Sequence, residues 1–452
     1  AMIQPRAMRA IRALDQRVLA RYRRLGPPSD PLIGVGFSGG ADSLCLAASF
    51  ARLQRPGGFR VHLIHVDHGL REESVQDAER ARELAAALNV PITVHRLAPG
   101  LAKRASGIGI EAVARRERYA AFDAICAELG IDLLALGHHQ LDQAETVLLH
   151  LLRGAGVSGA AAMSELTESD LAPGVRLWRP LLLEPRSVID ATVAAVGLPP
   201  ILDPSNDDKG FLRNWLRAEA LPAFEARNPG SVSDLARFAR IAAEEDRYLA
   251  DVTSHWFKQA IDEHERLDWT LIGFQPTAVK RRIVKTWLDR VVGVTEISFD
   301  RVEAVLALAE GKNPEVVVQL GAGAIAIWSD GRLIAGPEYG VQATLGSNAN
   351  GPFASPFFEP TGLQSGAPVE VDGWRLTGWG SGSIELRRVD LGDRMAGSGR
   401  PVRELARACG IHPLLRRKMI VAANEAGPVW VAGLPFAECG WRFELTRVER
   451  DR

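Results

Sequence analysis

The chain has little that would tie it to a disulfide scaffold, a metal cluster or a membrane. Four cysteines stand among 452 residues. Cys45, Cys126, Cys409 and Cys439 form no C-x-x-C pair, so disulfide frameworks, zinc ribbons and iron–sulfur sites are not expected and the thiols read as packing groups. No uninterrupted apolar run approaches the roughly 20 residues that a membrane-spanning helix needs. The Arg-rich N-terminus has neither an apolar h-region nor a small-residue cleavage site, which argues against a signal peptide and makes the cytoplasm the expected location. Excess charge is also missing, because the formal net charge is −1. What remains is a globular composition, with 46% hydrophobic and 24% charged residues. The length suits two or three domains better than one core.

Charge is uneven along the chain although it balances overall. Arg6, Arg9, Arg12, Arg17, Arg21, Arg23 and Arg24 precede the first strand with only Asp15 opposing them. A second cluster holds Arg400, Arg403, Arg407, Arg416, Arg417 and Lys418. Two basic patches on a neutral protein are either a localised polyanion footprint or solvated helix faces.

Strand-like runs at Leu32 to Phe37, Val61 to His65, Ile92 to His95 and Leu133 to Leu136 alternate with helical stretches. This rhythm predicts an α/β fold with a doubly wound parallel sheet. Ligands in such folds sit beyond the carboxyl ends of the strands, where residues 38–43, 65–71 and 137–145 cluster. The expected organisation is a catalytic domain over 1–225, a mainly helical domain over 226–340, a Gly/Pro/Ser/Asn-rich linker over 341–368 and a small α+β domain over 369–452. The run Val316 to Pro337 reads as short strands with a D-G turn at Asp330 and Gly331.

The richest motif is Val35 to Ser43, V-G-F-S-G-G-A-D-S. It joins a strand to a helix through a turn that Gly39 and Gly40 free sterically. Backbone N–H groups there, with the Ser38 and Ser43 hydroxyls and the Ala41 amide, suit a nucleotide phosphate, and Asp42 could hold Mg2+. No Lys follows the glycines, so this is not a Walker A loop. It resembles the PP-loop of the N-type ATP pyrophosphatases; a capped Gly-Gly turn is the plain alternative.

Three more segments sharpen the reading. His65-Val66-Asp67-His68-Gly69-Leu70-Arg71 follows the second strand and suits nucleotide contact better than a metal, which would want more converging ligands. Glu111 and Arg115 lie one turn apart near a helix start, where Arg115 could reach phosphates or simply pair with Glu111. In Gly137-His138-His139-Gln140-Leu141-Asp142-Gln143-Ala144-Glu145-Thr146, Asp142 and Glu145 share one face of a helix N-terminal turn. The pair can hold a cation or an ammonium, although Asp142 could equally act as a cap. Gly137 and His138 read as nucleotide-lining residues. Further on, Arg213 and Arg217 share a helix face suited to phosphate contact or base stacking, or to packing on a neighbouring segment.

Together S-G-G-A-D-S, H-V-D-H-G-L-R, G-H-H-x-x-D-Q-A-E-T-V-L-L-x-L-L-R-G-A-G and D-P-S-N-D-D-x-x-F-L-R-N-W-L-R make the chain resemble the bacterial tRNA(Ile)-lysidine synthetases. Gly392-Asp393-Arg394 and the Arg403 to Lys418 segment resemble that family's C-terminal tRNA-binding domain. Asp67 replaces the Asn usual in H-V-N-H-G-L, and Gln140 and Leu141 replace more polar residues. The resemblance implies conversion of the wobble cytidine of a CAU-anticodon tRNA(Ile) to lysidine with ATP and L-lysine. It implies Asp42, Asp142, Glu145 and Arg115 as catalytic residues, with Mg2+ on Asp42 and Glu145. ATP would contact residues 38–43, His65, Gly137 and His138, and tRNA would contact Arg213, Arg217, Arg403, Arg416, Arg417 and Lys418. A homodimer is compatible with it. The competing readings are another PP-loop tRNA-modifying enzyme and a non-catalytic ATP- or RNA-binding protein. Missing C-x-x-C cysteines weigh against a cluster-dependent thiolase, and the retained Asp42, Asp142 and Glu145 weigh against an inactive scaffold.

Overall fold

A computed structural model describes residues 5–67, 74–98, 110–169, 174–201, 212–293, 297–337, 341, 361–371, 374–390, 392–409, 411–416, 418–432 and 442–447. The chain forms two compact units, 1–247 and 248–452.

In the first unit, inner strands rich in buried apolar residues, flanked by more exposed edge strands, build a six-stranded sheet of order β3-β2-β1-β4-β6-β5. The strands are β1 (Leu32–Gly36), β2 (Arg60–Asp67), β3 (Ile92–Arg96), β4 (Leu133–Ala135), β5 (Leu166–Glu168) and β6 (Arg176–Trp178). All pairings are parallel except the β5 edge, which runs antiparallel to β6. Val35 sits opposite both Leu63 and Ala135, and Ala135 opposite Trp178. One face is covered by α1 (Pro5–Arg24), α2 (Ala41–Gly57), α3 (Ser74–Ala87) and α6 (Arg186–Val196), whose Leu14, Val18, Leu44, Phe50, Leu84 and Ile189 enter one core. The other face packs Val113, Phe122 and Ile125 of α4 (Ile110–Leu129) against Ile64, Leu134 and Leu177. The doubly wound sheet is the expected one, but β5 and β6 were not among the expected strands. Three residues each is too short for a periodic signal.

After β4 comes α5 (Gln140–Leu152); α7 (Leu212–Trp215) continues through a π-helical turn (Leu216–Ala220) into α8 (Leu221–Arg227), and α9 (Ser231–Ala260) follows. Leu14, Val18 and Tyr22 are spaced by four on α1 and wholly buried. Arg17 and Arg21 flank this buried face and ion-pair with the buried Glu184, so these two members of the N-terminal basic run are not free.

The second unit combines helices with short strands. Helices α10 (Thr277–Val292) and α11 (Phe299–Gly311) pack on a sheet of order β7-β10-β9-β8, made from Leu267–Asp268, Arg332–Pro337, Ala324–Ser329 and Val317–Gly321. The β9–β10 hairpin turns at Asp330 and Gly331, with φ of 48° and 81°, as the D-G pair predicts for a tight turn needing two left-handed residues. Ile325, Ile327 and Ile334 of that sheet share a core with Met395, Val402 and Leu405. Two further sheets contain β11 (Thr361–Leu363), β12 (Pro368–Val371), β13 (Trp374–Trp379), β14 (Ile384–Arg388), β15 (Ile420–Asn424), β16 (Gly427–Val431) and β17 (Arg442–Arg447). Helices α12 (Val402–Ala408) and α13 (Pro413–Arg416) complete the unit. Most of the expected linker lies outside the described residues. Among the described residues no helix is long and apolar enough to cross a membrane.

Candidate active site

The carboxyl end of β1 runs into a loop that curls on its own hydroxyls. Ser38 Oγ lies 3.1 Å from Ser43 Oγ and accepts from Gly40 N at 3.3 Å, while Ser43 Oγ donates to Gly40 O at 3.1 Å. Gly39 has φ of +82°, and a Cβ there would fall 2.3 Å from Ile201 Cδ1, so position 39 needs glycine on both counts. Ala41 and Asp42 begin α2, whose N-cap Gly40 offers no side-chain cap, so its first amides have no intrahelical partner. Gly137, just past β4, closes against the same turn. A Cβ on it would lie 3.0 Å from the Asp42 carbonyl carbon and 3.1 Å from Ser43 N. His65 is buried beneath the loop with Nδ1 2.8 Å from Phe37 O, and burial pushes its pKa down. His68 to Arg71 lie outside the described residues.

His139 connects this loop to the carboxylate pair. Its Nδ1 accepts from Leu141 N at 3.2 Å and caps α5, while its own N–H donates to Asp142 Oδ2 at 2.9 Å. The cap is thus His139, with Asp142 completing the reciprocal box. The buried His139 Nε2 lies 3.5 Å from Asp42 Oδ1 and 3.8 Å from Asp142 Oδ2, with no hydrogen-bond partner. Glu145 is fully buried one turn on. Neither carboxylate faces an empty space: Glu145 Oε2 accepts from Arg213 Nε at 3.0 Å, Glu145 Oε1 accepts from Arg217 Nε, and Asp142 Oδ1 accepts from Arg217 Nη2 at 2.5 Å. The two motifs, about 70 residues apart in sequence, therefore meet as one charge-balanced cluster of two acids and two guanidiniums. Burial pushes the Asp142 carboxyl up, but His139, Arg217, His138 and the His139 N–H outweigh it and hold it below its ordinary value.

Two guanidinium groups at this edge carry no signal in the sequence. Arg186, the first residue of α6, donates to Asp42 Oδ1 at 2.9 Å and is steadied by Asp190 at 2.8 Å. Arg179 follows β6, is buried, and donates to Ser164 O at 2.8 Å. Only adjacency of the strands, not spacing, could have revealed them. Arg115 is exposed and stacks over Tyr119 at 4.9 Å, donating to its hydroxyl at 3.2 Å. Glu111's side chain lies outside the description. His138 is half-buried, and burial pushes its pKa down to about 3. Cys45 and Cys126 are pushed up to about 12 by burial, which leaves them unreactive thiols.

The distal basic residues divide. Arg403 is exposed on α12, and Lys418 is half-buried. Arg416 is only 13% exposed and turns inward, donating to Ile411 O at 2.8 Å and pairing with Glu315 at 3.3 Å. Arg417 lies outside the described residues.

A parallel sheet whose first strand feeds a Gly/Ser anion loop with a carboxylate in the following helical turn defines an ATP-binding PP-loop domain. The profile of the PP-loop domain matches residues 14–224. Among curated proteins, the tRNA(Ile)-lysidine synthase of Symbiobacterium thermophilum is 40% identical over 277 residues, 59% of this chain and 56% of that protein. The Bordetella parapertussis enzyme of the same name is 41% identical over 246 residues, 53% of this chain and 69% of that protein. That of Gloeobacter violaceus is 34% identical over 291 residues, 64% of this chain and 85% of that protein. The chain belongs to the tRNA(Ile)-lysidine synthase family, although the match spans little more than half the length of the Symbiobacterium relative.

Proposed function

We propose that this protein ligates L-lysine to C2 of the wobble cytidine of a CAU-anticodon tRNA(Ile), at the expense of ATP. The cytosine O2 attacks the α-phosphorus and pyrophosphate departs; the ε-amine then adds to C2 and AMP leaves with the former O2. The observation that supports this reading is the run of contacts from Asp42 through His139 to Asp142, and from Asp142 through Arg217 to Glu145, between the phosphate loop and a buried acid pair.

The amine must react neutral. With an ordinary pKa near 10.4 it is so at pH 7 only about once in a few thousand, a cost of about 4–5 kcal/mol. Asp142 and Glu145 would orient the ammonium toward C2 and take up its proton as the carbon–nitrogen bond forms. In the free protein they hold guanidinium N–H groups, so the ammonium replaces donors of the same sign. Arg213 and Arg217, once released, are free to take tRNA phosphate or stack on the everted base.

Asp42 suits Mg2+, a hard cation that favours oxygen ligands. Among the described residues no cluster of three or more His, Cys, Asp or Glu side chains could hold a metal alone, so the ion would come with ATP phosphates. Mg2+ there would neutralise pyrophosphate charge. Glu145 could join it only after both arginines leave. Residues 38–43, Gly137 and His138 contact ATP in this reading, His65 supports the loop from beneath, and Arg403, Arg417 and Lys418 hold tRNA. The organisation into 1–225, 226–340 and 369–452 and a cytoplasmic location belong to the same proposal.

The test is the order of release. Pyrophosphate is expected to require ATP and cognate tRNA only, and AMP to require lysine as well. AMP appearing equally fast without lysine would overturn the scheme.

A further inference from the structure

We propose that Glu184, gripped by Arg17 and Arg21 of α1, is a positioning residue that fixes the Asp142 helix and the Asp42 carboxylate relative to each other for the ligation. The inference rests on the lysine-ligating function above and adds to it a residue that acts through others.

After β6 the chain turns through residues 179–184 before α6 begins. Leu182 N donates to Arg179 O at 3.1 Å and Glu184 N to Leu181 O at 2.8 Å, so the turn closes on itself. Glu184 is 2% exposed, and α1 holds its carboxylate. Arg17 donates in parallel, Nε to Oε1 at 3.0 Å and Nη2 to Oε2 at 2.6 Å, while Arg21 Nη1 lies 3.1 Å from Oε1 and also donates to Pro180 O. The hydrogen bond to Glu184 outweighs burial and raises the Arg17 guanidinium above its ordinary pKa. A buried ion pair adds little net stability over an apolar pair of similar volume, and its best-attested use is to fix register. The parallel fork suits that use, because two N–H donors fix both the distance and the angle of the carboxylate.

What this register controls lies within three residues. Glu184 O accepts from Gln140 N at 3.1 Å. Gln140 is the first residue of α5, where an amide has no acceptor within its own helix, so the helix that carries Asp142 and Glu145 starts from the Glu184 carbonyl. Pro185 follows with φ of −65°, the value its ring imposes, which removes one rotation from the corner. Arg186 then donates to Asp42 Oδ1 at 2.9 Å. One short corner therefore reaches both the helix of the acid pair and the carboxylate beside the phosphate loop, and α1 sets where that corner stands. A displacement of about 1 Å between reacting groups can cost about 100-fold in rate, so an anchor remote from the chemistry bears on kcat.

The experiment compares Arg17→Ala with Arg52→Ala in the full chain. Arg52 ties α1 to α2 through Asp15 at 2.7 Å rather than to the 184–186 corner. The Arg17 and Arg52 side chains are 43% and 35% exposed, so neither variant puts folding at stake. Arg17→Ala should lower kcat for tRNA-dependent pyrophosphate release and for lysine adduct formation by about 5- to 50-fold with KM for ATP unchanged, and Arg17→Lys should recover part of that loss. Arg52→Ala, at a comparable loss of thermal stability, should keep the full kcat. Amide hydrogen exchange of the His139–Gln143 segment, whose Gln140 N–H is bound to Glu184 O, should speed up in Arg17→Ala and not in Arg52→Ala. An unchanged kcat in Arg17→Ala, equal losses of kcat in the two alanine variants, or unchanged exchange of that segment in Arg17→Ala would overturn the positioning role and leave Glu184 a packing anchor. If the unaltered protein forms no lysine adduct, the ligation reading falls by itself, and the exchange difference alone then decides whether Glu184 anchors α5.

Discussion

Arg217→Ala removes the guanidinium that bridges Asp142 and Glu145, and the structure sets the size of the effect. Glu145 is completely buried, and Arg217 satisfies one of its oxygens while Arg213 satisfies the other at 3.0 Å. Losing one partner of a fully buried ion pair costs about 3–5 kcal/mol, because the remaining charge is left uncompensated. Here the Arg213 and Arg217 side chains are 35% exposed. Water entering the vacated space, together with Arg213, recovers part of the loss, so the expected cost is about 2 kcal/mol. For a unit the size of 1–247, that corresponds to a fall in Tm of roughly 4–8 °C. Glu145→Gln removes the charge that Arg217 neutralises, so the double variant should be less damaged than the sum of the singles by about 1–2 kcal/mol. Thermal and urea melts of the four proteins measure both quantities. An unchanged Tm for Arg217→Ala, or strictly additive losses, would refute a tightly coupled cluster.

Three further expectations concern other parts of the molecule. His138 protonates near pH 3 in the folded state and near 6.5 when unfolded, so the unfolded chain binds the extra proton between these values. Stability from this group is therefore present above about pH 6.5 and declines as pH falls toward 3; His138→Asn should flatten the slope in melts across that range, and an identical slope would count against a neutral buried ring. Gly137→Ala places a Cβ within 3.0–3.1 Å of backbone at Asp42 and Ser43, so nucleotide affinity should fall at least about tenfold with an overpacking cost of about 1–3 kcal/mol; calorimetry with a non-hydrolysable ATP analogue decides it. Arg403→Ala should weaken tRNA binding and reduce the salt slope by about one counterion without changing stability, whereas Arg416→Ala should lower stability by about 1 kcal/mol through its lost backbone hydrogen bond and pair with Glu315. Filter binding at several salt concentrations, paired with melts, separates the two.

The phosphate loop was legible because its determinants are local: strand, glycine turn and helix follow one another within residues 32–57. The D-G hairpin at Asp330 and Gly331 was legible for the same reason. The partners of the acid pair were not. Arg213 and Arg217 read as a basic face whose ligand, phosphate, base or protein, was open, and the fold brings Asp142 and Glu145 to it. Arg186 and Arg179 were silent because each becomes a site residue only through its place at the carboxyl edge of the sheet or on α6. Arg416 shows the converse, since a basic run cannot reveal which of its members turns inward to Glu315.

The most direct measurement of the central claim is mass analysis of the wobble nucleoside after CAU-anticodon tRNA(Ile) is incubated with this protein, ATP and isotopically labelled L-lysine. Cytidine at that position is expected to become a lysine adduct carrying the label, with one AMP and one pyrophosphate formed per adduct. Unmodified cytidine under conditions where ATP and tRNA both bind would contradict it.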